Sequence, residues 1–333
     1  MDSLDTVRDP AVHAHRRRVW DQAFSIKSLE KAESLIYHHT DKLIKQLEKH
    51  HGQGLNICQW LEYYTFDAMG KFGLSVDFNN LSGKEHPIMK IYHIAHRRMG
   101  PLAAAPWVKH LLMGIPFIER MKYYRIFFSW THEELNKNIE ANNKEQRTDV
   151  IGHVIRDALE HGGIQQNWNF VLGDFVLVIV AGSDPVRQVL ANLLYYLVLN
   201  PEHLQILRQE LSNVNIREYK ELQRAVHLNA CIYETTHGRS FVDPEKWLPE
   251  RFDSKPELVL NKHAFAPWSI GKMSCLGKNL SLMEIRVAAA LIITKLDFSF
   301  APGEDGQKMF SEAIDYFTTT PGPLQLVFKR RSF

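Results

Sequence analysis

Cysteine is scarce in this sequence. Cys58, Cys231 and Cys275 are the only three in 333 residues, too few to build a disulfide framework, and that scarcity fits a reducing, intracellular setting. An excess of one charge is also lacking: 40 Lys and Arg face 38 Asp and Glu, a formal +2. A dedicated nucleic-acid binder carries a strongly basic face, which this balance argues against. Long hydrophobic runs are missing too. The start, MDSLDTVRDP, is polar and acidic, unlike a signal peptide or a membrane anchor. The most apolar stretch, Trp168 to Ala181, is interrupted by Asp174 and is shorter than the roughly 20 residues of a spanning helix. As written, the chain reads as soluble or at most peripheral. No internal repeat, phosphate-cradling glycine loop or nucleophile elbow is evident.

What is present is helical periodicity over the first two thirds. Length allows one large domain or two ordinary ones. Leu29, Leu35, Ile36, Leu43, Ile44 and Leu47 recur at helical spacing behind Ser28, a candidate cap with Glu30 in the first turn. A second helix is expected from about Ile57 to Lys71, with others near 87–99, 117–142 and 149–161. The longest apolar pattern covers 167–199. Asn200 then caps a helix with Pro201 at its first position and Glu202 near its positive end. Beyond about residue 237 the texture changes: proline and aromatic residues dominate 241–270, a helix follows over 278–295, and β-like runs occupy Leu296–Ala301 and Leu324–Lys329 as a C-terminal hairpin. The fold class is mainly α with a minor β component. Cys58 and Cys231 read as core residues.

The chemistry concentrates in Phe265-Ala-Pro-Trp-Ser-Ile-Gly-Lys-Met-Ser-Cys-Leu-Gly277. Gly271 and Gly277 are expected at turns that a Cβ would resist. Cys275 sits just before a helix N-terminus, where free N–H groups and partial positive charge favour a thiolate. An isolated cysteine in a turn is usually only a small buried hydrophobe; the surroundings reverse that here. Trp268-x-x-Gly271-x-x-x-Cys275-x-Gly277 resembles the haem-binding loop of the cytochrome P450 family, with Trp in the usual Phe position. Phe241-Val-Asp-Pro-Glu-Lys-Trp-Leu-Pro-Glu-Arg-Phe252 resembles the family's meander, most closely in its fungal members. Ala181-Gly182-Ser-Asp184 resembles the oxygen-activation motif of its central helix. His13-x-x-x-Arg17, upstream of Phe24, fits its haem-propionate helix, and Phe66-Asp-Ala-Met-Gly with Phe72-Gly73 matches a further helix. The similarity runs from about residue 8 to the end, and implies a single incomplete domain over 1–333, helical over 1–236 and holding the meander, cysteine loop and following helix over 237–333.

The resemblance implies haem b (iron protoporphyrin IX) as cofactor, Cys275 as its iron ligand, and Trp268, Gly271 and Gly277 around it. Thiolate ligation pushes electron density onto iron and promotes O–O cleavage. His13 and Arg17 would hold the propionates. Ala181, Gly182 and Asp184 would serve oxygen activation, with Asp184 helping to deliver protons. Local propensity alone prefers a new helix starting at Asp184-Pro185, since an interior proline costs ~3 kcal/mol; the resemblance implies one long helix kinked there by the N–H that Pro185 lacks. The implied activity is insertion of one oxygen atom from O2 into an apolar small molecule, with electrons from NADPH through NADPH–cytochrome P450 reductase. A monomer is expected. Family members are usually anchored to the endoplasmic reticulum, and no anchor is present in this sequence.

Three departures qualify that picture. Pro185 stands where the family usually has Thr, so the relay alcohol is missing. The Glu-x-x-Arg motif has Glu234 but His237 in place of Arg, with Arg239 at the wrong spacing, and a stretch that normally precedes the meander is absent. A buried charge left unpaired there is expected to cost about 3–5 kcal/mol. The family's anchor, first helix and first strands would precede residue 1, and Met273 replaces a frequent propionate-binding Arg. These departures leave a catalytically impaired haem-binding remnant or interaction protein as the alternative function.

Overall fold

The computed structural model describes residues 2–99, 119–145, 147–236, 241–315 and 318–331. The elements in chain order are α1 (Pro10–Ala23), α2 (Ile26–Lys49), β1 (Gly54–Asn56), α3 (Ile57–Met69), a π-turn (Gly70–Leu74), α4 (Pro87–Met99), α5 (Glu119–Lys144), α6 (Val150–Glu160), α7 (Ile164–Leu199), α8 (Pro201–Ser212), α9 (Tyr219–Arg224), α10 (Val226–Glu234), α11 (Lys278–Lys295), β2 (Leu296–Phe300), α12 (Gln307–Ser311), β3 (Ile314–Asp315), β4 (Thr319–Thr320) and β5 (Gln325–Arg330). The expected mainly helical class with a small β component is what forms.

Local chemistry accounts for several boundaries. Asp9 caps α1 by accepting from the N–H groups of Ala11 (2.8 Å) and Val12 (3.1 Å), with Pro10 at the first position. Asp149 caps α6 through the Gly152 N–H at 2.8 Å. Two expected caps differ. α2 begins at Ile26, placing Ser28 inside it, where its hydroxyl donates to the Gln22 carbonyl (3.2 Å). Asn200 occupies the cap position of α8, but its amide donates back to the Tyr196 carbonyl at 2.8 Å. α7 runs unbroken through Pro185 for 36 residues, so one long helix forms rather than a new start at Asp184.

The chain folds into two compact units. One comprises Met1–Leu29, Thr65–Pro185 and Ala313–Thr320; the other comprises Glu30–Tyr64, Val186–Glu312 and Pro321–Phe333. Compactness thus divides the chain along a different line from the change of texture near residue 237. In the first unit α1 packs on α6, and α4 on α5. The Asp67 carboxylate ties the loop after the π-turn to α3, accepting from the Asn80 and Leu81 backbone N–H groups at 2.9 Å each.

The second unit is built around α11, buried on nearly all sides from Leu280 to Ile293; a helix apolar all round belongs in a core. The helices α8, α9 and α10 pack against it. A three-stranded antiparallel sheet, in the order β1-β5-β2, pairs Gly54 with Val327 and Phe298 with Phe328. The two tail strands therefore do pair, with β1 as an added partner. By length and composition α7 could cross a membrane, but 61% of its most apolar window is buried within the protein, which marks it as a core helix.

Candidate active site

In the second unit the cysteine loop is held by its own backbone. The Cys275 N–H donates to the Trp268 carbonyl at 2.7 Å, and the Ser274 N–H to the Gly271 carbonyl at 3.1 Å. Gly271 adopts φ +70, which a Cβ would strain. Gly277, in contrast, has φ −75 and ψ −1, an ordinary right-handed conformation, so no left-handed turn requires glycine there. The loop leaves the Cys275 side chain exposed, three residues before the first residue of α11. Ile270 and Met273 are 76% and 61% exposed, while the Trp268 indole N–H is buried without a hydrogen-bond partner.

This donor set fits an iron porphyrin. Cys275 would supply the one thiolate such a group asks of the protein, from an accessible, largely apolar loop. A metal ion without a macrocycle would instead need several protein ligands converging on it, and Cys275 is part of no such group among the described residues.

Behind the loop lies the meander. Arg251 and Glu234 form a direct ion pair with both side chains fully buried. The Arg251 guanidinium also donates to the carbonyls of Val242 and Asp243, 2.6 Å each, and Lys246, 2.9 Å. The Leu248 N–H donates to Glu234 at 2.8 Å. Burial pushes the Glu234 carboxyl up to about 7, against the pull of Arg251. The expected unpaired charge therefore does not arise between these two: the meander arginine takes the glutamate directly. His237 and Arg239 lie outside the described residues. The Trp247 ring stacks on Tyr196 with centroids 5.3 Å apart, pinning the meander to α7.

In the first unit Asp184 is buried on α7. It accepts hydrogen bonds from the hydroxyls of Tyr92 (3.0 Å) and Thr318 (3.1 Å). Neither partner was legible in the sequence, being 92 and 134 residues distant. Gly182 lies close to the Met69 side chain: a Cβ would fall 2.4 Å from the methyl carbon, which would have to move aside. Ala181 is exposed on the same helix. His13 is buried on α1, and Arg17, one turn on, donates its Nε–H to Asp21 at 3.1 Å. The neighbouring Arg16 and Trp20 turn instead to the fully buried Asp174, which also accepts the Leu4 N–H at 2.8 Å. Asp174 interrupting an apolar run was the sequence signal for that network.

A mainly helical fold with an exposed cysteine ahead of a core helix is compatible with the haem-thiolate class, and comparison identifies the family. The cytochrome P450 family model matches residues 3–236 and 238–328, so the chain belongs to the cytochrome P450 family. Fungal relatives include cytochrome P450 monooxygenase orf5 of Eupenicillium brefeldianum, 29% identical over 99% of this chain and 75% of the relative. Cytochrome P450 monooxygenase phqL of Penicillium fellutanum is 28% identical over 99% of this chain and 66% of its own length. A tryprostatin B 6-hydroxylase of Aspergillus fumigatus is 27% identical over 99% and 67%. The chain thus spans roughly two thirds to three quarters of these relatives. A crystal structure of the cytochrome P450DA haem domain shares the fold, with TM-score 0.81 and 16% identity over 99% of this chain and 80% of that one.

Proposed function

We propose that this chain is a haem-thiolate monooxygenase that inserts one atom of O2 into an apolar organic molecule and sends the other to water, using two electrons from NADPH through a reductase and two protons. The observation that supports it most is the cysteine loop, with an exposed Cys275 tethered to the Trp268 carbonyl at 2.7 Å. Bound haem would supply O2 binding and activation. Cys275 would hold the iron, with Trp268, Gly271 and Gly277 shaping the loop, and His13 and Arg17 would pair with the propionates.

Asp184 would gather and pass protons. Its hydroxyl partners, Tyr92 and Thr318, would supply the relay alcohols that Pro185 does not provide. The three cysteines form no disulfide, which supports an intracellular, reducing location. A second reading, a haem-holding scaffold that turns over poorly, draws its support from Pro185, from His237 in place of the motif's arginine and from the stretch missing before the meander.

The test is the carbon monoxide spectrum of the reduced, haem-loaded protein. Thiolate ligation gives a strongly red-shifted Soret band, and Cys275→Ala abolishes it. A variant with an unchanged spectrum would overturn the reading. Turnover with a reductase and a substrate panel then separates the monooxygenase from the scaffold.

A further inference from the structure

A cluster of metal-ligating side chains in the second unit has no part in the chemistry above. His203 on α8 and His227 and Cys231 on α10 are all buried, and one ligand atom of each lies within 4.8 Å of the other two. His227 and Cys231 are four apart on one helix, hence on one face. The rings of His203 and His227 are stacked with centroids 5.2 Å apart, and Nδ1 of His203 is 3.1 Å from Nε2 of His227. Two nitrogens bound tetrahedrally to one zinc ion would be about 3.3 Å apart, given Zn–N bonds near 2.0–2.1 Å. The nitrogens are thus almost at chelating distance, and the Cys231 sulfur lies within 4.8 Å of both.

The outward nitrogens are equally telling. Nδ1 of His227 faces the Asp253 carboxylate at 3.2 Å, and Nε2 of His203 faces Glu250 at 3.9 Å. A metal-bound imidazole characteristically donates its other N–H to a carboxylate, which fixes the tautomer and strengthens the ligand.

We propose that His203, His227 and Cys231 bind a zinc ion, with water as the fourth ligand. Soft sulfur with two imidazoles suits Zn2+ and excludes Mg2+ or Ca2+, which prefer oxygen. Binding displaces the Cys231 thiol proton to solvent. The ion joins α8 to α10 one turn before Glu234. It therefore braces the helix that holds the meander through Glu234.

The experiment uses the untagged, haem-loaded chain. Metal analysis after gel filtration is expected to find one zinc per chain, and X-ray absorption at the zinc edge one sulfur and two imidazole nitrogens. Cys231→Ser and His227→Gln should lose the zinc, whereas Cys275→Ser, which removes the proposed haem ligand, should keep it. Asp253→Asn should weaken zinc binding tenfold or more. No retained zinc, or a zinc shell without sulfur, overturns the proposal. The wild-type absorption spectrum decides even where a variant fails to fold, and its outcome is independent of the haem reading.

Discussion

Glu284 is a buried carboxyl whose proton couples folding to pH. It lies in the centre of α11 at 1% exposure, and neither carboxyl oxygen has a hydrogen-bond partner. Burial alone pushes its pKa well above the usual carboxylate range. The folded state therefore holds a proton that the unfolded chain releases near pH 4.5. Stability from this group is complete below that pH and falls as pH rises toward the folded value, because the unfolded chain then binds fewer protons. Glu284→Gln removes the charge and keeps the shape. It should flatten the pH slope, so that its stability relative to the original protein is greater at pH 8 than at pH 5. Urea melts of both proteins at pH 5 and pH 8 check this, and a stability difference that is the same at both values would refute it.

Among the elements, α7 carries Asp184, to which the proposed function gives the proton relay. Pro185 removes one helical hydrogen bond and one relay hydroxyl, yet the helix continues; the buried contacts of Val186, Leu190, Leu193 and Leu194 outweigh the cost of an interior proline. Asp184 draws its alcohols from α4 and from β4's neighbour Thr318 instead. Tyr92→Phe should lower product formed per reductant consumed by several fold, with the total rate of reductant use little changed. Pro185→Thr should raise the same ratio. Peroxide release measured alongside product checks both, and an unchanged ratio in each would remove Asp184's hydroxyls from the relay.

The elements also show what was legible beforehand. α4 and α11 formed at the expected 87–99 and 278–295, since strong apolar periodicity and clear ends are local properties. The Ser28 cap was misplaced because Ser25 competes for the same role three residues earlier, its carbonyl accepting from the Ser28 and Leu29 N–H groups at 2.9 Å. β1, three residues long, has no pattern of its own and exists through its pairing with β5. Of the site, the Cys275 loop was legible because every residue of it is contiguous. The Tyr92–Asp184–Thr318 contacts and the His203–His227–Cys231 cluster were not, because their members meet only through the packing of distant segments.

For the molecule as a whole, the sharpest question is how it tolerates the shortened passage into the meander. The family match breaks at residue 237, and 371 aligned positions against 333 residues leave at least 38 positions of the orf5 relative without a counterpart here. In place of a larger network, the fully buried Glu234–Arg251 pair joins α10 to the meander. Such a pair need contribute little net stability, but removing one partner strands the other charge. Arg251→Ala should destabilise the protein by about 3–5 kcal/mol at neutral pH. The sign with pH follows from Glu234, whose carboxyl is already pushed up to about 7. Without Arg251 it rises further, so acid neutralises the stranded charge and the penalty shrinks toward pH 5. Denaturant melts of the two proteins at pH 5 and 8 give the difference directly. A penalty that is the same at both values would mean that the arginine stabilises the fold through its carbonyl contacts and packing, and that the charge of Glu234 has no part in holding the shortened meander.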